Sequence, residues 1–586
     1  MQSNHISATI RVQLGRSYVG FFLLSQLLCC ATAWAQTAPD AGALLRQIEG
    51  DLKAAPTPAQ QPTAKTPPAL TPAPAGAVTL NVSSFAFAGN TQLSADQLAA
   101  IVAPYQGGTY SLEQLRQIAN IVADAYREAG WLVRVSLPKQ EVKEGVVTLQ
   151  ITEARFGKVV LQGRQTRVDP AMLQAMVEAA QASNDLVQVQ RIDRALLLLN
   201  DIPGMTVAGN LIEGAQAGQT DLLLGADDKP AVNGNVVVDN TGSRSTGIER
   251  MLVSLNINSP LQLGDQVALS VLKTRGSQYQ RVGYTVPVGY DGWRVGAYAS
   301  HLTYDVMGGD FAALGLSGSS STSGLNLSYP WVRSQATNVN LIATYDTKRF
   351  VNDNTTTPAS GSNYRIDAYN VSLSGSQLDA WAGGGVSSGS VGWTSGTVNL
   401  AGSANQSTDT AGPATAGSYT KLNVGVNRLQ SLSGNLSAFV ALNVQQANRN
   451  LDSSERLYLG GASGVRAYPT SEGGGAQGQT LTAELRQRLD AQWTLTGFYD
   501  RGHVQAFKDN AYANGSGSLN SGSAPNNYSL SGYGASMTWQ PQSGVELRAT
   551  VARRVGTSPL ANTSTGADTD GTRKLNRVWV NATVSF

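Results

Sequence analysis

The chain has 586 residues, of which 62 are Gly and only 14% are charged, well below the roughly 25% charge usual in soluble domains. Apart from the N-terminus, no apolar run reaches the roughly 18 residues a membrane-spanning helix needs, so any crossing of a membrane has to be made by strands. The first 35 residues carry two Arg and no carboxylate, so 40 of the 42 basic residues remain against 40 acidic ones, a balance that points away from nucleic acid as a partner.

Residues 1–35 read as a signal peptide: Arg11 and Arg16 supply positive charge, VGFFLLSQLLCC the apolar stretch, and AWA before Gln36 a cleavage site. Both cysteines, Cys29 and Cys30, fall inside it, so the mature chain is expected to have no disulfide or thiol chemistry. Residues 36–55 follow with Leu44, Leu45, Ile48 and Leu52 at helical spacing, which predicts one short amphipathic helix. Residues 56–76, rich in Pro, Ala and Thr, cannot build a core and read as an extended linker. The helix is therefore tethered but free to move.

Residues 77–155 have the expected order strand, helix, helix, strand, strand. Ser94 with Gln97 and Ser111 with Gln114 are capping signals, and Leu115, Ile118, Val122 and Tyr126 form an apolar stripe that stops at Gly130. Residues 156–229 repeat the pattern: the strand KVVLQG, a helix opened by Asp169 and Pro170, a second helix with Ile192, Ala195, Leu196 and Leu199 on one face, a turn at DIPG and two strands. Two small α/β modules thus precede the rest. An open strand edge in either could accept an extended peptide.

Residues 230–586 read as sixteen amphipathic strands at 233–240, 249–260, 265–274, 280–289, 293–306, 321–332, 337–350, 365–378, 383–399, 419–432, 436–449, 478–489, 493–505, 528–541, 545–555 and 577–586. Their connections alternate strictly between short and long, as in an antiparallel barrel inserted from one side of a membrane. In the last strand Val578, Val580, Ala582, Val584 and Phe586 share one face, and Trp579, Asn581, Thr583 and Ser585 the other. Lipid offers no partner for an unpaired backbone group, so closure is required. The expected fold is therefore two α+β modules followed by a C-terminal 16-stranded antiparallel transmembrane β-barrel.

FAFAGNTQLS, YREAGWLV and SLPKQEVKEGVVTLQITEARFG in the first module, VVVDNTGSRSTG at the barrel entrance, GGASGVRAYP at 460–469 and GFYD at 497–500 resemble the outer-membrane transporters of two-partner secretion (TpsB), which include haemolysin and filamentous-haemagglutinin exporters. The resemblance covers nearly the whole mature chain. It implies that the α/β modules are periplasmic POTRA domains, that residues 36–55 plug the pore, and that Gly464, Val465, Arg466, Ala467 and Tyr468 form the tip of the sixth extracellular loop. That tip would fold into the lumen and meet Gly497, Phe498 and Asp500, with Arg466 pairing to Asp500. Counting strands independently makes 450–477 the sixth long connection. The family often has Gly where this chain has Ala467, so a left-handed backbone there is in question. The terminal Phe586 would serve as a membrane-insertion signal.

By the same resemblance the partners are a large secreted exoprotein (a TpsA-like adhesin, or a haemolysin that export also activates), outer-membrane lipid, and the barrel-assembly machinery during biogenesis. No cofactor is expected. Only His301 and His503 remain in the mature chain without metal-ligand spacing, and the GVSSG string at 385–389 lacks the strand, turn and helix that a nucleophile elbow needs, so no enzyme is expected. The rival readings of the same features are an assembly or insertion factor for outer-membrane proteins, a diffusion porin, and a surface adhesin.

Overall fold

The computed structural model describes residues 39–53, 79–163, 166–309, 311–357, 361–512, 517–520, 525–541, 544–562 and 564–586. The expected signal peptide and the Pro-rich tract lie outside them.

Helix α1, Ala41–Lys53, is followed by the first module. Its strands Ser84–Ala88 and Val146–Glu153 pair in parallel, and Val133–Ser136 adds antiparallel to the latter. The helices Ala95–Val102 and Leu112–Glu128 begin at Ser94 and Ser111 with both halves of a capping box in place. The stripe Leu115, Ile118, Val122 and Tyr126 is buried in one core with Leu149 and Ile151. Ser111→Ala should destabilise the module by about 1 kcal/mol, read as a lower midpoint in urea unfolding. Beyond the expected order the module has two strands where one was read, Thr79–Val82 and Ser84–Ala88, a 3-10 turn at Ala103–Tyr105, and the strand Gly108–Ser111, which pairs with Thr79–Val82; elements of three to five residues show no periodicity.

The second module pairs Arg155–Gln162 in parallel with Gln219–Asp228, which pairs antiparallel with Met205–Glu213. Asp169 caps the helix Pro170–Ala180 by accepting from the Ala171 N–H at 2.9 Å. In the helix Val189–Asn200 the buried face is Ile192, Ala195, Leu198 and Leu199, with Leu196 only half-buried at its edge. The modules are welded by main-chain bonds from Leu132 to Val187 and from Val187 to Ala154. The second module is fixed to the barrel in turn. Arg333 forms a bidentate pair with Asp201 (both 2.8 Å), and Arg194 reaches Asp291 at 3.1 Å and the Pro330 carbonyl at 3.0 Å.

The remaining strands form one closed, antiparallel sixteen-stranded barrel, running from Val232–Asp239 to Asn576–Ser585. Strands are numbered here by their order in it. The sixteenth pairs with the first from Asn581 opposite Asp239 to Ser585 opposite Asn235, and Phe586 and Gly234 exchange backbone bonds of 2.9 and 3.0 Å that extend the seam. The expected alternation of the last strand is present: Val578, Val580, Val584 and Phe586 are exposed on the outside while Trp579 is buried within. Stacked outward aromatics, Trp293 on Tyr329 and Trp493 on Trp539, sit at the short-turn rim, as at a membrane boundary. Among the described residues no helix is long and apolar enough to cross a membrane.

The strict alternation of short and long connections breaks once. Residues 274–276, on the long-loop rim, are a tight turn in which the Thr274 hydroxyl binds the Ser277 hydroxyl at 2.8 Å and donates to the Thr246 carbonyl at 2.6 Å. This side-chain bonding closes the turn where a longer polar loop was expected.

Candidate functional site

The lumen is filled by two bodies, α1 and the connection between the eleventh strand, Leu436–Ala447, and the twelfth, Gln477–Arg488. This connection is the sixth on the long-loop rim, and it folds inward.

Its anchor is Arg466. The guanidinium donates through Nε to Asp500 Oδ2 (2.8 Å), through Nη2 to Asp500 Oδ1 (2.7 Å) and through Nη1 to Glu484 Oε1 (2.8 Å). The Arg466 N–H also reaches Asp500 Oδ2 at 3.1 Å, its carbonyl accepts from the Trp579 indole at 2.8 Å, and the Phe498 ring lies 3.5 Å beneath the guanidinium. Fork geometry, two carboxylates and an aromatic face suit arginine and no other side chain. Asp500 is essentially unexposed (1%) and Arg466 nearly so (13%), so the pair is screened little by bulk water.

The other expected tip residues are placed as follows. Val465 and Tyr468 are buried, and the Arg554 guanidinium lies 5.1 Å from the Tyr468 ring. A side chain on Gly464 would strike the Leu459 carbonyl. Ala467 is not among the residues with left-handed backbone; its smallness matters instead because its Cβ fills the space beside Gly532. The GFYD motif divides by strand alternation. Phe498 and Asp500 face the lumen, whereas Gly497, with no atom near its would-be Cβ, lies on the outward face with exposed Tyr499 and takes no part in the anchor.

Glu484, Thr482, Trp579 and Gly532 complete the site and were not read from the sequence. Register supplies two of them: Glu484 stands opposite Phe498 and Thr482 opposite Asp500. A carboxylate on the lumen parity of the neighbouring strand was the available signal.

Behind the tip, Glu472 is fully buried and accepts from the Thr569 backbone N–H at 3.2 Å, from the Thr569 hydroxyl, and from Ser558 Oγ at 3.4 Å, so it ties the sixth loop to the eighth, residues 555–575. Burial, with Asp568 nearby, pushes its carboxyl up to about 7. Ionising a carboxyl raised in this way weakens the folded arrangement, so the loop contact should be strongest at low pH and weaken as pH rises from the ordinary Glu range through about 7. Glu472→Gln should flatten that dependence, measured as protease sensitivity of the loops between about pH 5 and 8.

Helix α1 buries Ala41, Leu44, Leu45 and Ile48 against lumen-facing Leu302, Tyr304 and Phe350. Arg250 holds its C-terminal end, donating to Asp51 Oδ2 at 2.6 Å and to both oxygens of Asp239 at 2.9 and 3.2 Å. At the other end Asp40 accepts from Ser453 Oγ at 2.8 Å, and a Cβ on Gly42 would come within 2.5 Å of the same oxygen. Ser453–Glu455 belongs to the sixth loop, and Glu455 is clamped by Lys348 (2.8 Å) and Lys421 (2.6 Å). The two lumenal bodies therefore brace each other.

A closed sixteen-stranded barrel, an inward-folded sixth loop anchored by arginine and two preceding α/β modules narrow the comparison to few families. Residues 218–525 match the family described as haemolysin secretion/activation protein ShlB/FhaC/HecB, and residues 80–154 match the POTRA domain, ShlB-type. The chain belongs to this family. It is an outer-membrane transporter of the two-partner secretion type, with its POTRA modules in the periplasm and a secreted exoprotein as its partner. It is 24% identical over 82% of its length to the heme/hemopexin transporter protein HuxB of Haemophilus influenzae (strain 86-028NP), covering 83% of that protein. It is 23% identical to the outer membrane transporter CdiB of Dickeya dadantii (strain 3937), over 68% of this chain and 70% of the other. In structure it resembles CdiB from Escherichia coli (TM-score 0.67, 19% identity, 94% of this chain and 100% of that one). It also shares its fold with BamA from Haemophilus ducreyi lacking POTRA domains 1–3 (TM-score 0.52, 14% identity, 86% and 100%). The family consists of transporters rather than enzymes, and the GVSSG string lies within the ninth strand, Gly385–Asn399.

Proposed function

We propose that the resting transporter is shut by α1 and the sixth loop together, and that an extended passenger bound at the POTRA strand edges enters the lumen as α1 leaves. The observation that carries this reading is the seat of α1, a helix buried in the lumen yet joined to the first POTRA module only through a Pro-rich tract. Met205–Glu213 is an edge strand of its sheet, with Leu211 and Ile212 partly exposed, which suits capture of an extended segment through main-chain hydrogen bonds. The Arg466 anchor holds the sixth loop in position for transport. Nucleotide is not required: folding of the passenger outside removes the emerging chain from the pore and biases its motion outward. The passenger is a large adhesin or haemolysin. Outer-membrane lipid around the barrel and the barrel-assembly machinery, contacting outward Phe586, are the further partners of this reading.

A photo-crosslinker tests the route. At lumen-facing Asn427 it should capture a stalled passenger, while at Val426, one residue away and outward, it should not. Capture at both positions or at neither would remove the lumen as the path.

A further inference from the structure

Helix α1 covers a strip of the lumen wall that its apolar face does not match. It packs across the fifth to seventh strands, where it meets Leu302 and Phe350, and the register places Ser320 between those two. In the adjacent inward row Arg281, Ser300, Thr322 and Lys348 stand opposite one another in turn across four strands. The parity is lumenal, since Val282 beside Arg281 and Leu325 on the strand of Thr322 are exposed on the outside. Ser320 and Thr322 are only 1% and 3% exposed, yet neither hydroxyl has a hydrogen-bond partner among the described residues. Buried hydroxyls are ordinarily bonded, so this pair marks a surface that the resting helix leaves unsatisfied.

The charge at the end of this row is held loosely too. Arg281 lies over the Tyr298 ring, 3.8 Å from its centroid, and Glu49 of α1 is the only carboxylate within ion-pair distance of it among the described residues. Their separation of 3.7 Å is too long for a hydrogen bond, whereas Asp51 of the same helix sits 2.6 Å from Arg250. The other acids of this sector are committed: Glu455 is shared by Lys348 and Lys421, and Asp346 accepts from the Tyr298 hydroxyl. When α1 leaves, Arg281 is therefore left without a counter-charge, beside hydroxyls that already lack partners. Thr322 stands two strands from Arg281, about 10 Å, a gap that an arginine side chain and a carboxylate together span.

We propose that Arg281 and Thr322 form a carboxylate-binding site of the lumen wall, filled at rest by Glu49 and during transport by an acidic side chain of the extended passenger. The carboxylate accepts from the guanidinium and from the Thr322 hydroxyl, a charge-assisted pairing that the loose contact with Glu49 does not achieve. The inference rests on the release of α1 proposed above, and it adds a preference of the open lumen for acidic segments. The site shares no residue with the Arg466 anchor.

Block of the open pore by hexaglutamate tests it in planar bilayers, with hexaglutamine as the neutral control. The parent is the full-length protein carrying Gly42→Leu, which lifts α1 from Ser453, together with Glu49→Gln, which removes the competing carboxylate. Its conductance should exceed that of the wild type, and hexaglutamate should block it at a concentration roughly tenfold below that of hexaglutamine. Adding Thr322→Val leaves the charge of the lumen unchanged and should raise the blocking concentration of hexaglutamate roughly tenfold; adding Arg281→Gln should raise it at least as much. Heat-modifiable migration on gels checks that each barrel is folded, and Thr322→Ala replaces Thr322→Val if the latter does not fold. Equal block with and without the Thr322 hydroxyl would reduce the effect to general attraction by a charged wall and overturn the site, as would equal block by the two peptides. A parent no more conductive than the wild type would instead overturn the release of α1, and the site with it.

Discussion

Arg466→Ala is expected to abolish most secretion of the passenger while leaving the barrel folded in the outer membrane. The substitution removes three charge-assisted bonds and leaves the buried Asp500 without its cation, while Glu484 keeps Arg486 at 2.7 Å. Losing one partner of a buried pair costs about 3–5 kcal/mol, chiefly through the charge left behind. Asp500→Asn should therefore be milder than Arg466→Ala, because Glu484 still pairs with the guanidinium, and Arg466→Ala with Asp500→Asn should be less damaging to loop anchoring than the arginine change alone. Arg466→Lys should not rescue, since an ammonium cannot span both carboxylates and lie flat on Phe498. Passenger in the medium and barrel in the outer membrane, measured side by side, check all four. Normal secretion by Arg466→Ala would end the role given to the anchor.

Deleting residues 36–55 should raise single-channel conductance in planar bilayers. An α-helix with its side chains is roughly 10–12 Å across, so removing α1 clears a passage of that order, wide enough for an extended chain. Gly42→Leu should act in the same direction without a deletion, because the added side chain collides with Ser453 and lifts the helix from the sixth loop. Unchanged conductance in the deletion would mean that α1 does not limit the pore.

Much of this was legible in the sequence because strand alternation is local. Val578 to Phe586 announce their outward face without any knowledge of neighbours, and counting such strands marks 450–477 as the sixth long loop. Helix caps at Ser94 and Ser111 are equally local. What depends on register was hidden: Glu484 meets Arg466 only because it stands opposite Phe498, and Trp579 reaches the Arg466 carbonyl only after the barrel has closed. Gly497 shows the converse, since proximity in a motif placed it with Asp500 while the two-residue period of a strand put it on the other side of the wall. The seat of α1 was half legible. Leu44, Leu45 and Ile48 define its apolar stripe, but the cradle is assembled from Arg250, Phe350 and Ser453, which are hundreds of residues away in sequence.

The most direct test of dedicated export compares the culture-medium and outer-membrane proteomes of the native host with and without this gene. Loss of one large secreted or surface protein, with other barrel proteins unchanged, is the predicted result. A broad fall in outer-membrane barrels, or no change in either fraction, would contradict it.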